Sequence, residues 1–250
     1  MRLEGKVAVV TGAGGGFGAG IARLFAQQGA KVVVADINGD AAGMMAGELG
    51  ASGVAVTGDV TKSSDVKAMV EAAVRSFGGL DIVVNNAGTT HKNRPLLEVD
   101  EATFDRIYAV NVKSIYLMTQ AAVPVLRAQG RGGSIVNISS TAGIRPRPGL
   151  VWYNGTKGAV NIITQCMATE LAPDNIRVNA VCPVMGATGL LEEFMGAPDT
   201  PENRARFIGS IPLGRMSTPP DIANACLWLA ENASSFITGV LLPVDGGRCA

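Results

Sequence analysis

The chain has 250 residues, with 21 Lys and Arg against 21 Asp and Glu, 47% hydrophobic residues, 5% aromatics and 32 glycines. Its length is ample for a core that needs no disulfide or metal, and its balanced charge gives no general attraction to nucleic acid or an acidic membrane surface. Glycine stands at nearly twice the usual ~7%, yet with no collagen period and with too much apolar content for a disordered linker.

The N-terminal apolar core before Thr11 is too short for a signal peptide, and no apolar run reaches the length of a transmembrane helix. Cys166, Cys182, Cys226 and Cys249 form no C-x-x-C pair, so reduced thiols and a cytoplasmic location are expected. His91 is the only histidine, which argues against a zinc hydrolase site and leaves no metal expected.

Short β-branched runs alternate with Ala-rich helical stretches. Strands are predicted over Val7–Val10, Lys31–Asp36, Gly53–Thr57, Leu80–Asn86, Ser134–Ser139, Ile176–Val181 and Val240–Leu242. Helices are predicted over Gly16–Gln28, Ser64–Phe77, Glu101–Gln129 (as one long helix), Tyr153–Leu171 and Pro219–Leu229, the last with proline near its start where a missing N–H does no harm. Strand and helix in repeated alternation imply parallel strands joined by right-handed crossovers, in a sheet covered on both faces. No linker divides the chain. Pro183 to Pro212 reads as one long irregular stretch, and so as a functional or mobile loop.

Between the first strand and first helix runs TGAGGGFG, Thr11 to Gly18. Glycines between a strand and a helix let the backbone approach a pyrophosphate, and the helix N-terminus supplies N–H groups and a positive dipole. The second strand ends at Asp36, where a carboxylate would bind an adenosine ribose 2′-OH and repel a 2′-phosphate. Ile37 follows, with no Arg or Lys to receive that phosphate, so NAD(H) is expected over NADP(H).

Tyr153 and Lys157 are four apart at a predicted helix start, on one face. A phenol ordinarily has a pKa of ~10. A neighbouring ammonium favours the phenolate, so the pair is expected to act as an acid/base unit for a carbonyl or alcohol.

Taken with the rest, the sequence resembles the short-chain dehydrogenase/reductase family over essentially its whole length. T-G-x-x-x-G-x-G is present as Thr11, Gly12, Gly16 and Gly18; N-N-A-G stands at Asn85, Asn86, Ala87 and Gly88; Tyr153 and Lys157 match Y-x-x-x-K. Asp59-Val60 is similar to the family's adenine-contacting pair, Asn111 falls at its catalytic asparagine, and Ser140 lies 13 residues before the tyrosine, with Ser139 as the neighbouring alternative. The resemblance implies one Rossmann-type α/β domain over 1–250, doubly wound, with a seven-stranded parallel sheet, helices on both faces and a mobile substrate lid at about 186–212. It implies Tyr153 as general acid/base, with Lys157 on the nicotinamide ribose and lowering the tyrosine pKa. Ser140 would hold the substrate oxygen, and Asn111 a water in a proton relay. Cofactor contacts are then expected from Gly12, Gly16, Phe17, Gly18, Asp36, Ile37, Asp59, Val60, Asn86, Ala87, Gly88, Tyr153, Lys157, Pro183, Gly186 and Thr188. A homotetramer is expected too.

One departure stands out. The family usually has Pro-Gly after the sixth strand and a β-branched residue three past the proline; here they are Pro183-Val184 and Gly186. Substrate contacts are expected from Ser140, Tyr153, Thr90, Ile144, Trp152 and Met185, around a small-molecule alcohol or ketone. His91, Thr141, Leu150 and Leu190 to Phe207 lie in the same segments, and Arg145 and Arg147 are read as solvated loop charges or contacts to an anionic substrate. The expected activity is NAD-dependent hydride transfer between a secondary alcohol and a ketone. One alternative is a 3-oxoacyl-(acyl carrier protein) reductase, against which stand Asp36 and a Thr169 where such enzymes often carry Arg. The other is a catalytically silent NAD(H)-binding protein, against which stands the complete Asn-Ser-Tyr-Lys set.

Overall fold

Seven parallel strands form one sheet in the order β3-β2-β1-β4-β5-β6-β7. The structure is a computed structural model and describes residues 1–186 and 189–250. The strands are β1 (Val7–Thr11), β2 (Lys31–Asp36), β3 (Gly53–Thr57), β4 (Ile82–Asn85), β5 (Gly133–Ile138), β6 (Ile176–Pro183) and β7 (Leu241–Val244). The central ones are buried along their whole length, as a sheet with helices on both faces requires. β3, at an edge, alternates instead.

The helices are α1 (Gly16–Gln27), α2 (Gly39–Leu49), α3 (Ser63–Phe77), α4 (Glu101–Tyr108), α5 (Ser114–Gln129), α6 (Val151–Leu171), α7 (Leu191–Met195), α8 (Pro201–Ile208) and α9 (Pro219–Ala230). Two apolar cores lie either side of the sheet. Ile21, Phe25, Met45 and Leu227 on α1, α2 and α9 pack on one face. Met69, Met118, Leu126 and Leu171 on α3, α5 and α6 pack on the other. α9 starts on a capping box, Thr218 with Asp221, and carries proline in its first turn.

The structure corrects three expectations. α2 is a helix the sequence reading misses: its glycines at 39, 43 and 47 lower helix propensity. It forms because the Asn38 side chain caps Ala41 N–H and because Ala42, Met45 and Ala46 bury one face. The predicted single helix Glu101–Gln129 is continuous but not uniform, since Ala109–Lys113 winds as a π turn between α4 and α5. The stretch read as irregular from Pro183 to Pro212 contains α7 and α8, held by a small cluster of Val184, Leu191, Met195, Ile211 and Met216.

The order reverses between β1 and β4, so the connections leaving their carboxyl ends run to opposite faces of the sheet and open a crevice. A cavity of about 600 Å³ opens there, lined from the carboxyl ends of β1, β2, β4, β5 and β6.

Candidate active site

The glycine-rich turn after β1 forms one wall. Gly12 and Gly16 take positive φ values of 62° and 54°, which favour glycine over residues with a side chain. Most of the other glycines have intrachain reasons. A Cβ on Gly18 would come within 2.8 Å of the Gly12 carbonyl carbon, and one on Gly20 within 2.7 Å of Pro219 Cβ. Only Gly15 among Gly12, Gly14, Gly15, Gly18 and Gly20 faces open space; it is the N-cap of α1, with no side chain capping the helix and no acidic residue in its first turn. Pyrophosphate approach is therefore not the reason for most of these glycines: strand-to-helix packing explains several, and Gly15 marks the open cradle.

Asp36 lines the same cavity at the end of β2. One carboxylate oxygen accepts Gly14 N–H at 2.9 Å and the other accepts Asn38 N–H at 2.9 Å. It fastens the glycine turn and does not cap α2, whose cap is Asn38.

At the end of β4 the Asn86 amide donates to Thr11 O at 2.8 Å and Gly12 O at 3.0 Å, tying β4 to the glycine turn. Asn86, Ala87 and Gly88 line the cavity. Behind them, Asn111 sits in the π turn, a feature often found at functional sites. Its Oδ1 accepts Thr89 N–H at 2.8 Å, and its Nδ2 donates to Thr89 O at 2.9 Å and Thr156 Oγ1 at 3.0 Å. The side chain is spent on protein partners.

Tyr153 and Lys157 stand one turn apart on α6, both buried and both on the cavity wall. Lys157 Nζ donates to Ile138 O at 2.9 Å and lies 5.8 Å from the Tyr153 ring centroid. Burial pushes the Tyr153 phenol up to about 12, with Ser140 and the Arg147 charge pulling the other way. Burial pushes Lys157 down to about 8, against a smaller opposing influence of Cys182. The expectation of a lowered tyrosine pKa is thus corrected for the protein alone, where desolvation outweighs the nearby charges. Ser140 lines the cavity and accepts Ala142 N–H at 3.0 Å. Ser139 also lines the cavity, but its hydroxyl is committed to the protein, 2.6 Å from Asn161 Oδ1 and 3.2 Å from Lys157 O.

Of the expected cofactor contacts, Pro183 and Gly186 also line the cavity, as does Phe17. Gly18, Ile37, Asp59 and Val60 do not. Gly18 faces the Gly12 carbonyl, Ile37 is 71% exposed, Asp59 holds Thr61 through its N–H and Oγ1, and Val60 packs against the core. Thr188 lies outside the described residues.

The substrate side needs more correction. Met185 lines the cavity, but Thr90, Ile144 and Trp152 are not on its wall. Thr90 is buried and donates to His91 O; Ile144 is exposed; Trp152 donates to Leu96 O and packs edge-on against Phe104 at 5.5 Å, on the α4 side. His91 is buried beside its own loop, with Nδ1 at 2.9 Å from Lys92 O. The cavity wall includes Leu150, Phe194 and Phe207, from segments the sequence reading had included, and Arg248, which it had not. Phe194 meets Tyr153 edge-on at 5.1 Å.

Gly186 now has a physical reason. A Cβ there would stand 2.8 Å from Phe17 Cε1 and 3.1 Å from Ser217 Oγ. The Phe17 ring fills the space a side chain at 186 would take. Gly186→Val is expected to destabilise the protein by about 1–3 kcal/mol through overpacking, and Phe17→Ile in the same chain to restore most of that loss. Thermal unfolding of both single variants and the double variant measures the coupling; additive losses would remove the explanation.

A parallel sheet with a glycine-rich turn at its switch point, and a Tyr–Lys pair beside that turn, defines an α/β oxidoreductase of the dinucleotide-binding class. A family model described as enoyl-(acyl carrier protein) reductase matches residues 12–248. A 4-formylbenzenesulfonate dehydrogenase of Comamonas testosteroni is 51% identical over 253 residues, covering 99% of this chain and 99% of that protein. A 3-oxoacyl-(acyl carrier protein) reductase of Thermotoga maritima is 39% identical over 252 residues, covering 99% of each. The crystal structure of a 3-ketoacyl-(acyl carrier protein) reductase from Brucella melitensis, complexed with NADH, superimposes with a TM-score of 0.94 at 48% identity, over 99% of this chain and 100% of that one. The chain belongs to the short-chain dehydrogenase/reductase family and is an oxidoreductase.

Proposed function

We propose that the protein transfers a hydride between NAD(H) and a secondary alcohol or ketone, with Tyr153 as general acid/base. One observation carries this reading: Tyr153, Lys157 and Ser140 line the same cavity as the open Gly15 cradle and the Asp36 carboxylate. That cradle and carboxylate suit a pyrophosphate and an unphosphorylated adenosine ribose. NAD(H), when bound, supplies the hydride donor or acceptor. Gly12, Gly15, Gly16 and Asn86 to Gly88 would hold it, with Asp36 on the ribose and Pro183 and Gly186 near the nicotinamide.

Tyr153 gives its phenolic proton to the carbonyl oxygen in reduction and takes the hydroxyl proton in oxidation. Ser140 Oγ donates to the same oxygen and stabilises its developing charge. Lys157 holds the nicotinamide ribose and its charge favours the phenolate. Asn111 contributes the π turn, whose main chain, rather than its committed amide, would hold a relay water. The described part of the segment at about 186–212 would act as the lid of one domain spanning 1–250. Conversion of a panel of secondary alcohols, diols and sugars with NAD, followed as NADH formation, tests the reading; no turnover of any member would count against it.

Oxidation needs Tyr153 as phenolate and reduction needs it as phenol. With the phenol held above its ordinary value, kcat/KM for oxidation is expected to rise by up to about tenfold per pH unit above neutrality. Lys157, held near 8, loses its charge in the same window and flattens that rise. Reduction stays level and falls only on the alkaline side. Initial rates in both directions across the pH range check the signs; oxidation that slows as pH rises would contradict them.

The names of several relatives favour a second reading, reduction of a 3-oxoacyl thioester. Asp36 does not exclude it, since the Brucella reductase is complexed with NADH. Reduction of acetoacetyl thioesters faster than any free ketone would establish it.

No helix among the described residues is long and apolar enough to cross a membrane. The free thiols fit the cytoplasm. A homotetramer is supported by an apolar groove between α5 and α6, lined by Val112, Tyr116, Ile163 and Met167, with Tyr116 60% exposed. Gly155 is explained within the chain, because a Cβ would meet Tyr108 Oη at 2.9 Å; Gly158 has nothing within 4 Å and leaves room for a partner helix. Tyr116→Glu is expected to shift light-scattering mass toward a smaller assembly, and an unchanged mass would count against this interface.

A further inference from the structure

Three arginines, Arg145, Arg147 and Arg248, share the cavity with Tyr153. Among the described residues none of them pairs with a carboxylate, although six other arginines do. Among the described residues the only carboxylate on the cavity wall is Asp36, at the end of β2, already engaged with two backbone N–H groups. Arg177 shows what an arginine without a carboxylate does when its role is structural: it donates to the carbonyls of Leu229, Ala230, Glu231 and Ile237.

Arg147 is different. It is half-buried, with its guanidinium carbon 5.0 Å from the Phe207 ring centroid, and among the described residues it donates to one carbonyl only, Phe194 O. Among the described residues Arg145 donates only to Arg248 O, and the Arg248 guanidinium has no protein acceptor. Burial lowers the Arg147 pKa, and the like charge of Arg248 lowers it further. Arg147 and Arg248 line one cavity with most of their donors unspent, an unfavourable arrangement that an anion would relieve. A planar guanidinium with paired N–H groups suits a carboxylate or sulfonate. Arg147 is bonded to Phe194 O, and the Phe194 ring meets the Tyr153 ring at 5.1 Å, which places the charge within a small molecule's length of the reacting side chain.

We propose that the substrate is an aryl alcohol or ketone bearing an anionic head, a carboxylate or a sulfonate. The head docks on Arg147 and Arg248, with Arg145 at the rim. The flat body lies against Phe194 and Phe207, and the reacting carbon faces Tyr153. This rests on the reading of Tyr153 as acid/base. A carrier protein would instead use exposed cations at the entrance; the half-buried Arg147 favours a small anion.

The test compares 1-phenylethanol with its 4-carboxylate and 4-sulfonate derivatives as substrates with NAD. The anionic alcohols are expected to have kcat/KM at least about 30-fold higher, from hydrogen bonds to charged groups. Arg147→Gln and Arg248→Gln are expected to shrink that preference about tenfold each, mainly through KM. The two derivatives separate carboxylate from sulfonate as the preferred head. Equal rates for neutral and anionic alcohols overturn the proposal, as does a preference untouched by both substitutions or a larger kcat/KM for a carrier-protein thioester. Binding supplies a readout independent of turnover: benzoate or benzenesulfonate is expected to raise the unfolding temperature of the NADH-loaded protein, and less so in Arg147→Gln. No such rise overturns the anion site even where alcohols are turned over. A rise without turnover of any alcohol faults the acid/base reading and leaves the anion site supported.

Discussion

Replacing Tyr153 with phenylalanine is expected to lower kcat for alcohol oxidation by about 10³-fold or more, at the upper part of the range for loss of a general acid/base. The substitution removes one oxygen from a buried side chain, and the ring keeps its edge-on contact with Phe194. Folding and NADH binding should therefore change little. Lys157 keeps its bond to Ile138 O, since that bond does not pass through the phenol. Single-turnover rates and NADH fluorescence titration separate the two effects. Retained turnover would take the proton transfer away from Tyr153. Lost NADH binding would make the tyrosine a structural residue instead.

The second large effect is cofactor choice. On the proposed reading the Asp36 carboxylate meets the adenosine ribose, where a 2′-phosphate would bring like charges together and disfavour binding by several kcal/mol. The protein is expected to use NAD with kcat/KM about 100-fold or more above NADP. Asp36→Ala should narrow that ratio, but it also strips Gly14 and Asn38 N–H of their acceptor. A loss of about 1 kcal/mol in stability should accompany the relaxed selectivity. Rates with both cofactors, alongside thermal unfolding, measure the two consequences together. Equal use of NADP by the unaltered protein would refute the assignment of Asp36.

Much of this was legible in the residues. Seven apolar runs and the helical stretches between most of them gave the parallel sheet, because buried central strands have no competing pattern. The glycine turn, Asp36 and the Tyr–Lys spacing located the cavity, because each depends on short sequence distances. Side-chain direction was less legible. Trp152 precedes Tyr153 and seemed bound for the same pocket, yet one residue along a helix is about 100° of rotation, and it faces Phe104 instead. Arg248 reaches the cavity from the far end of the chain, a meeting made by tertiary folding alone. The π turn at Asn111 carries no periodic signal of its own. α2 was hidden by its glycines, whose unfavourable propensity is outweighed by the Asn38 cap and the buried Ala42, Met45 and Ala46.

The contact between Phe17 and Gly186 also constrains the routes by which this cavity can change. Starting from a smaller residue at 17 and a branched one at 186, the two substitutions are not interchangeable in order. Phenylalanine first would meet an occupied site, whereas glycine first leaves only a gap, which the ring can then fill. Reversal has to run the other way, with residue 17 shrinking before 186 regains a side chain. A library that varies either position alone will reject nearly every larger residue at 186, and only joint variation opens alternative floors to the pocket.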